Sequence, residues 1–214
     1  MPYFPMYIDI QNARCLVAGG GEIAQRKVMA LREFEASVTV VAPEIREDIA
    51  AISDITCICR EFRQEDIFDM RLVVAATDDP VLNHRISGFC REQGIPVNVV
   101  DQPEDCDFIF PSYICQGDVV ASFSSGGQSP VVTQYLKWKN EPVVSELLGE
   151  LAAYLGSLRA GVRARIPDAG QRKKLYQRLL KTGLELGRIP QEEETETMIK
   201  EMERYESYET SEDE

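Results

Sequence analysis

Residues 13–24 read Ala-Arg-Cys-Leu-Val-Ala-Gly-Gly-Gly-Glu-Ile-Ala, and this stretch decides the fold. A short apolar run ends in three glycines, and apolar residues at helical spacing follow at once. Gly19, Gly21 and Ala24 match the G-x-G-x-x-G/A pattern of a dinucleotide-binding turn. Glycine allows a tight turn and a close backbone approach to a pyrophosphate, whose charge is attracted by free N–H groups at a helix start. Such turns also occur without a ligand, so the surrounding sequence has to support this interpretation.

The first hundred residues alternate apolar strands with helix-like segments. The third predicted helix has clear ends, with Asp79 as N-cap, Pro80 at the first helical position and Gly94 as C-cap. This β-α-β-α order predicts an α/β fold, a Rossmann-like domain with a parallel sheet. The predicted strands are 14–18, 37–41, 55–59, 72–76 and 96–100, and the predicted helices are 22–33, 44–51 and 81–92.

The pattern changes after residue 101. Two apolar runs flank a turn at 116–118 and predict an antiparallel strand pair. A flexible polar loop follows at 124–130, and the remaining pattern is helical, at 132–139, 143–158 and 169–184. The chain is therefore expected to carry a smaller, mainly helical part behind its sheet domain.

Composition excludes several classes of protein. No apolar run approaches the roughly 20 residues needed to span a bilayer, and no signal peptide is evident. The six cysteines form no C-x-x-C pair, which favours reduced thiols over disulfides or a metal site. We expect a cytoplasmic protein without membrane attachment.

Charge is unevenly distributed along the chain. Residues 191–214 hold eleven acidic residues and two basic ones, a net charge of −9, so residues 1–190 carry −4 of the total −13. Such an end is typical of a solvated tail, and a short helix around 197–205 is an equal alternative. Overall acidity disfavours a nucleic acid partner.

Candidate ligand residues follow the predicted strands, because ligands of open parallel sheets bind beyond the carboxyl ends of the strands. Glu22 and Ile23 adjoin the glycine turn, and Pro43 and Glu44 follow the second strand, where an acid often binds the adenosine ribose. The lack of an arginine directly at this point favours NAD over NADP, although Arg46 is close.

Two further polar residues follow the fourth and fifth strands. Thr77 is placed to line the nicotinamide side, whereas Asp79 is interpreted as a helix cap. Asp101 would face the cofactor cleft, where a carboxylate could take a proton during hydride removal; a simple turn aspartate is the alternative. Asp105 and Asp107 are interpreted as turn residues.

The polar loop at 124–130 has two interpretations. Ser129 and Pro130 favour a helix start in any case. The hydroxyl groups of this loop and the N–H groups of its glycines could also hold substrate carboxylates. His84, the only histidine, lies inside a predicted helix, which favours a surface or packing role and excludes Ser-His-Asp catalysis.

These clusters, in this order, resemble the precorrin-2 dehydrogenase / sirohydrochlorin ferrochelatase family of siroheme biosynthesis over about residues 3–185. The segments that carry the resemblance are Phe-Pro-Met-Tyr at 4–7, Val-Ala-Gly-Gly-Gly-Glu-Ile-Ala-Gln-Arg-Lys at 17–27, Ala-Ala-Thr-Asp-Asp at 75–79, Asn-Val-Val-Asp at 98–101, Phe-Ile-Phe-Pro-Ser at 108–112 and Ser-Ser-Gly-Gly-Gln-Ser-Pro at 124–130.

The resemblance implies an NAD-binding Rossmann domain at 1–111, a dimerisation region at 112–141, a small helical domain at 142–190 and the acidic tail at 191–214. It implies a homodimer that oxidises precorrin-2 to sirohydrochlorin with NAD, and in many relatives the insertion of ferrous iron. The tail has no counterpart in the resemblance, so its deletion is expected to leave turnover intact.

The resemblance also implies residue roles. Asp101 matches the family's essential aspartate. Gly19, Gly21, Glu22, Ile23, Pro43, Glu44 and Thr77 are the expected NAD-binding residues. The expected substrate-binding residues are Ser124, Ser125, Gly126 and Gly127, and Ser125 matches a serine that some relatives carry phosphorylated. No resident metal is expected. The arginines and lysines after 158 would offer partners to an anionic tetrapyrrole.

Two alternatives remain open. The chain could be a regulatory module that senses NAD, which would leave Asp101 and the loop at 124–130 without a role. It could also be a dehydrogenase of another small substrate, which would predict a compact substrate domain.

Overall fold

The computed structural model describes residues 3–209, with side chains as far as residue 203. The described chain forms two compact units that divide between Phe110 and Pro111. Each unit has its own sheet and its own helices.

The first unit is built on a parallel five-stranded sheet. Its strands are β1 (Arg14–Ala18), β2 (Ser37–Ala42), β3 (Thr56–Cys59), β4 (Leu72–Ala75) and β5 (Val97–Val99). They lie in the order β3-β2-β1-β4-β5, and all neighbours are parallel. The strand order reverses direction at β1, as in Rossmann domains, where the crevice beside the first strand is the ligand site. The predicted Rossmann-like fold is confirmed.

Helices cover both faces of this sheet because successive strand residues point to opposite sides. Cys15 and Val17 of β1 pack with α1 (Glu22–Glu33), whereas Leu16 and Ala18 pack with α3 (Pro80–Gln93). All four residues are fully buried. A continuous apolar run therefore suits β1, which is covered on both faces.

The second helix of this unit, α2 (Glu47–Ala50), is shorter than predicted. The predicted start at residue 44 is wrong because the backbone there packs against the glycine turn: the N–H of Arg46 donates to the carbonyl of Gly20 at 3.1 Å. The ends predicted for α3 are confirmed, since the Asp79 carboxylate accepts from the N–H groups of Val81 and Leu82 at 2.9 and 3.2 Å.

The second unit begins with an antiparallel hairpin. Strands β6 (Ser112–Gln116) and β7 (Val119–Phe123) are joined by a two-residue turn and contact α4 (Pro130–Asn140) and α5 (Glu146–Ser157). The hairpin agrees with the predicted strand pair. The helix predicted at 143–158 begins instead at Glu146, directly after its N-cap Ser145. The Ser145 hydroxyl accepts from the N–H of Leu148.

Three more helices complete this unit, namely α6 (Arg159–Arg165), α7 (Ala169–Leu186) and α8 (Glu192–Glu209). Helix α8 corresponds to the acidic end of the chain. Its residues Met198 and Ile199 are buried together with Leu175 and Leu179 of α7. The alternative of a helix in this segment is therefore confirmed, and the helix spans Glu192–Glu209 instead of 197–205. The interpretation as a solvated tail is wrong for residues 192–203, whose side chains are described, while residues 210–214 lie outside the described part of the chain.

Ion pairs join α8 to arginines that precede it in the chain. Arg165 pairs with Glu196 and Glu203 at 2.7 Å each, Arg178 pairs with Glu201, and Arg188 pairs with Glu194 at 2.8 Å. These three arginines belong to the larger set of basic residues after 158 that was expected to be available to an anionic substrate. The structure instead shows them engaged by glutamates of α8.

All six cysteines are free thiols. Burial raises the pKa of Cys15 to about 11 and that of Cys90 to about 12. The expectation of reduced cysteines agrees with this finding. None of the described helices combines the length and the apolar character that a membrane crossing requires.

Candidate functional site

The glycine turn lies between β1 and α1 and leaves room for side chains at only one of its three positions. A Cβ atom on Gly19, whose φ is +129°, would lie 2.2 Å from the carbonyl oxygen of Ala76. A Cβ on Gly20 would lie 2.1 Å from the carbonyl oxygen of Glu44. Gly21, by contrast, faces open space. The first two glycines therefore pack the turn against the ends of β4 and β2, and the third leaves its backbone accessible.

Helix α1 begins at this accessible backbone. Gly21 is its N-cap and offers no side-chain hydrogen bond to the first N–H groups. A helix of twelve residues with an uncapped start attracts anions. The turn thus fits a pyrophosphate, as the sequence predicts. The Glu22 carboxylate next to it pairs with Arg26 at 2.8 Å, and the side chain of Ile23 is exposed.

The end of β2 brings a second candidate segment to the turn. Pro43 and Glu44 follow the strand and are exposed. Since the carbonyl of Glu44 limits the space beside Gly20, this segment directly adjoins the glycine turn. Arg46 is the residue whose presence left the choice between NAD and NADP open in the sequence. Its guanidinium is bound by Asp48, with an Nη2–Oδ2 distance of 2.7 Å.

The segment after β4 is fixed by a residue that the sequence interpretation missed. The Oδ1 atom of Asn83 accepts from the N–H of Thr77, and its Nδ2 donates to the Thr77 carbonyl at 3.0 Å. Asn83 is almost fully buried on α3. Its signal in the sequence is its spacing, because it shares the inward face of α3 with Ile86, Ser87 and Cys90.

Asp101 lies just beyond β5, at the same carboxyl edge of the sheet. The preceding N–H, of Val100, donates to the carbonyl of Ala75 at the end of β4. Asp101 is exposed and has a φ of +59°, the left-handed region that non-glycine residues seldom adopt. An exposed aspartate in this conformation is consistent with either interpretation, a reactive carboxylate or a turn residue.

The turn that carries Asp101 is anchored on both sides. The N–H of Val99 donates to the Cys106 sulfur at 3.1 Å, and that thiol lies 3.4 Å from the carbonyl of Gln102. Ser87 of α3 donates to the carbonyl of Asp105 at 2.9 Å. These contacts hold the backbone after β5 against the sheet and against α3, so the position of Asp101 is well defined.

His84 and Asp105 form a pair beside this turn. The Nδ1 atom of His84 lies 2.7 Å from a carboxylate oxygen of Asp105, whose side chain is only 5% exposed. Arg91 lies 3.5 Å from the same carboxylate. The expectation of a surface or packing role for His84 agrees with this geometry. Asp105 is more than a turn residue, because its buried carboxylate connects α3 to the Asp101 turn.

Lys27 is a second residue to which the sequence gave no role. Its ammonium lies 3.8 Å from the ring centroid of Phe110, a cation–π contact. Burial lowers the pKa of Lys27, and no carboxylate of the described residues forms an ion pair with it. Lys27 is therefore a partly buried cation with an aromatic partner only.

The loop between β7 and α4 belongs to the second unit and is well bonded internally. The Ser125 hydroxyl accepts from the N–H of Ser129 at 2.9 Å and lies 3.2 Å from its carbonyl. Ser124 accepts from the N–H of Gly126 at 3.0 Å. Ser129 caps α4, as predicted, and Gly126 and Gly127 both have positive φ values.

Among the residues that the structure describes, no group of three or more histidine, cysteine, aspartate or glutamate side chains is placed to hold a metal ion.

A family model described as putative NAD(P)-binding matches residues 6–112, the sheet unit with the glycine turn. A second model, the sirohaem synthase dimerisation region, matches residues 147–202. The chain belongs to the NAD(P)-binding family of the siroheme synthase type. The second match extends into α8, so this acidic helix has a counterpart in the family, contrary to expectation. The dimerisation region predicted at 112–141 stays a prediction.

Individual siroheme synthases are similar to this chain. It is 43% identical to a siroheme synthase of Thioalkalivibrio sulfidiphilus over 183 residues, which cover 84% of this chain and 37% of the relative. It is 40% identical to a siroheme synthase of Nitrosospira multiformis, covering 84% and 40%. The chain thus spans about two fifths of the length of these relatives.

A solved structure supports the fold. SirC, a precorrin-2 dehydrogenase, superimposes with a TM-score of 0.68 over 95% of this chain and all of that one, at 20% identity. At this level of identity the similarity establishes the fold. The resemblance found in the sequence is confirmed at the level of the family.

Proposed function

We propose that this chain oxidises precorrin-2 to sirohydrochlorin with NAD as hydride acceptor. The observation that carries the proposal is the position of Asp101, an exposed carboxylate at the carboxyl edge of an NAD(P)-binding sheet. The relatives named siroheme synthase and the fold of SirC support the choice of substrate.

The residues around the glycine turn fit NAD. The open backbone at Gly21 and the uncapped start of α1 would hold the pyrophosphate, and Pro43 and Glu44 would hold the adenosine ribose. Thr77 would lie on the nicotinamide side, with Glu22 and Ile23 completing the site. Bound NAD supplies the hydride acceptor of the reaction.

Asp101 would accept a proton. Oxidation of precorrin-2 removes a hydride and a proton, so the site needs a base that is close to the bound tetrapyrrole. The anchored turn after β5 keeps the Asp101 carboxylate at the sheet edge without a competing ion pair among the described residues. Ser124, Ser125, Gly126 and Gly127 would bind substrate carboxylates through hydroxyl and N–H groups.

We extend the proposal to ferrous iron as a second substrate, because the same base could take the two pyrrole protons that metal insertion releases one after the other, passing each to solvent. We also propose a cytoplasmic location, in keeping with six free thiols. Phosphorylation of Ser125 would break its two contacts to Ser129 and add negative charge beside an anionic substrate.

A homodimer is part of this proposal. Helix α4 presents Val131, Tyr135 and Trp138 at one-turn spacing, and each side chain is more than half exposed. Tyr135 and Trp138 lie with ring centroids 6.1 Å apart. Large exposed apolar groups of this kind mark protein interfaces. A charged Trp138→Glu side chain is expected to give monomers in light-scattering measurements.

The decisive experiment supplies precorrin-2 and NAD without oxygen and follows sirohydrochlorin absorbance and NADH together. Asp101→Asn should reduce turnover by about 100-fold or more, the usual contribution of a general base, and should keep NAD binding. Asparagine tolerates the left-handed backbone at this position, so the fold should be unchanged.

Asp69→Asn is the matched control. Asp69 is also exposed and left-handed, with a φ of +61°, but it lies before β4, at the opposite edge of the sheet. Its variant should keep full turnover. NAD binding without conversion by the unmodified chain would overturn the proposed reaction and favour an NAD sensor or another substrate. Addition of ferrous iron then tests siroheme formation.

A further inference from the structure

We propose that Asp48 is a specificity-determining residue, which excludes NADP by holding the guanidinium of Arg46 away from the nucleotide. The inference deepens the proposed use of NAD and rests on it.

Arg46 is the only basic residue between Glu33 and Cys59, the segment that contains β2 and its following loop. In dinucleotide-binding sheets this loop meets the adenosine ribose. An acid there binds the 2′-hydroxyl of NAD, and an arginine nearby binds the 2′-phosphate of NADP. Residues of both kinds are present in this chain, Glu44 and Arg46.

The backbone of Arg46 is fixed next to the expected nucleotide. Its N–H donates to the carbonyl of Gly20 at 3.1 Å, within the glycine turn itself. The tight packing of Gly20 on the Glu44 carbonyl holds the same segment from the other side. A guanidinium based at this position is within reach of a phosphate on the ribose.

Asp48 occupies that guanidinium. Nε of Arg46 lies 3.1 Å from Oδ1 of Asp48, and Nη2 lies 2.7 Å from Oδ2, a two-pronged ion pair. A phosphate would bind through the same Nε and Nη2 groups of the guanidinium. The hydrogen bond from Arg46 keeps the pKa of Asp48 below its usual range, so the carboxylate stays ionised at neutral pH.

The surroundings strengthen the exclusion. Glu44 and Glu47 flank Arg46 in the sequence, and Glu22 acts on it electrostatically from the start of α1. A 2′-phosphate would have to displace Asp48 from Arg46 and would then lie among these carboxylates. The uncharged 2′-hydroxyl of NAD meets neither obstacle and can donate to Glu44.

The test measures the dissociation constants of NAD and NADP on the full chain by calorimetry, without any tetrapyrrole. Asp48→Ala should tighten NADP binding about five- to tenfold, the range expected when an exposed ion pair and a repelling charge are removed. Its NAD affinity should change less than about twofold. The double variant Arg46→Met/Asp48→Ala should lose the gain, since the released guanidinium is then absent.

Glu47→Gln is the control, because it removes a neighbouring exposed charge that is not bonded to Arg46. It should raise the NADP affinity by less than about twofold, because the Arg46 guanidinium stays bound to Asp48. Equal affinities of the unmodified chain for NAD and NADP, or no gain in Asp48→Ala, would overturn the inference. If Asp48→Ala gains NADP affinity while the unmodified chain fails to convert precorrin-2, the proposed reaction would be overturned and the role of Asp48 retained.

Discussion

The amide oxygen of Asn83 accepts hydrogen bonds from both the backbone N–H and the hydroxyl of Thr77, at 3.1 and 2.7 Å. With its Nδ2 group also bound to the Thr77 carbonyl, Asn83 takes up every polar backbone atom of that residue. The hydroxyl proton of Thr77 is directed into the protein, so the hydroxyl oxygen can only accept a hydrogen bond from a ligand. Thr77 would then bind an N–H donor, such as the carboxamide of nicotinamide.

Replacement of Asn83 should therefore damage both stability and nucleotide binding. Asn83→Ala removes the partner of the part-buried N–H and carbonyl of Thr77, while the hydroxyl keeps the Asp79 carbonyl. We expect a loss of roughly 1–3 kcal/mol in the free energy of unfolding. The dissociation constant for NAD should rise as well. Ser87→Ala is the control, because it removes a buried hydrogen bond from α3 at a different place. It should lower stability and leave NAD affinity unchanged; an equal loss of affinity in both variants would refute a specific role for Asn83.

The three glycines of the turn should respond differently to alanine. Gly19→Ala and Gly20→Ala each place a Cβ within 2.2 Å of a backbone carbonyl oxygen, so we expect a lower melting temperature in both. Gly21→Ala meets open space and should keep its melting temperature. Its methyl group would occupy the approach of the pyrophosphate, and NAD affinity should fall. Thermal melts with and without NAD separate these effects, and normal NAD binding by Gly21→Ala would contradict the placement.

The sequence predicted the sheet unit well because its signals are local. Strand β1 ends at three glycines, and the ends of α3 are marked by Asp79, Pro80 and Gly94, each a residue with one dominant local role. Helix α8 could not be recognised in this way. Its acidic composition resembles that of a disordered tail, and its stability depends on ion pairs with Arg165, Arg178 and Arg188, which precede it in the chain.

The candidate site was predicted less completely, because part of it depends on side-chain contacts that form only on folding. Residues that follow strands, such as Asp101, can be found from order alone, since parallel strands end at one edge. Asn83 and Asp48 act on other residues through side-chain contacts formed on folding. The only sequence signal for Asn83 is that it is a polar residue on an apolar helix face. No local pattern indicates a role for Asp48.

Helix α8 is expected to be required for the stability of the second unit, which reverses the expectation that residues 191–214 are dispensable. Met198 and Ile199 are buried, and truncation of either to alanine should cost about 2–5 kcal/mol in the free energy of unfolding. Thr197→Ala, on the exposed side of the same helix, should cost less than about 1 kcal/mol. Chemical denaturation of the three variants provides the comparison. Equal stabilities would mean that α8 does not dock in solution.

The docking of α8 should also depend on pH. The hydrogen bond from Arg188 lowers the pKa of Glu194 to about 2, and bonds from Arg165 lower the pKa values of Glu196 and Glu203. Because these folded-state values lie below the unfolded ones, the stabilisation is fully present above about pH 4.5 and is lost as pH falls toward 2. Melting temperatures of the chain should therefore fall over this interval. Glu194→Gln removes the most strongly shifted carboxyl group, so its melting temperature should be lower than that of the unmodified chain at pH 7, and the two should converge at low pH. A constant difference between the two proteins from pH 7 to pH 2 would show that the Arg188–Glu194 pair does not contribute to α8 docking.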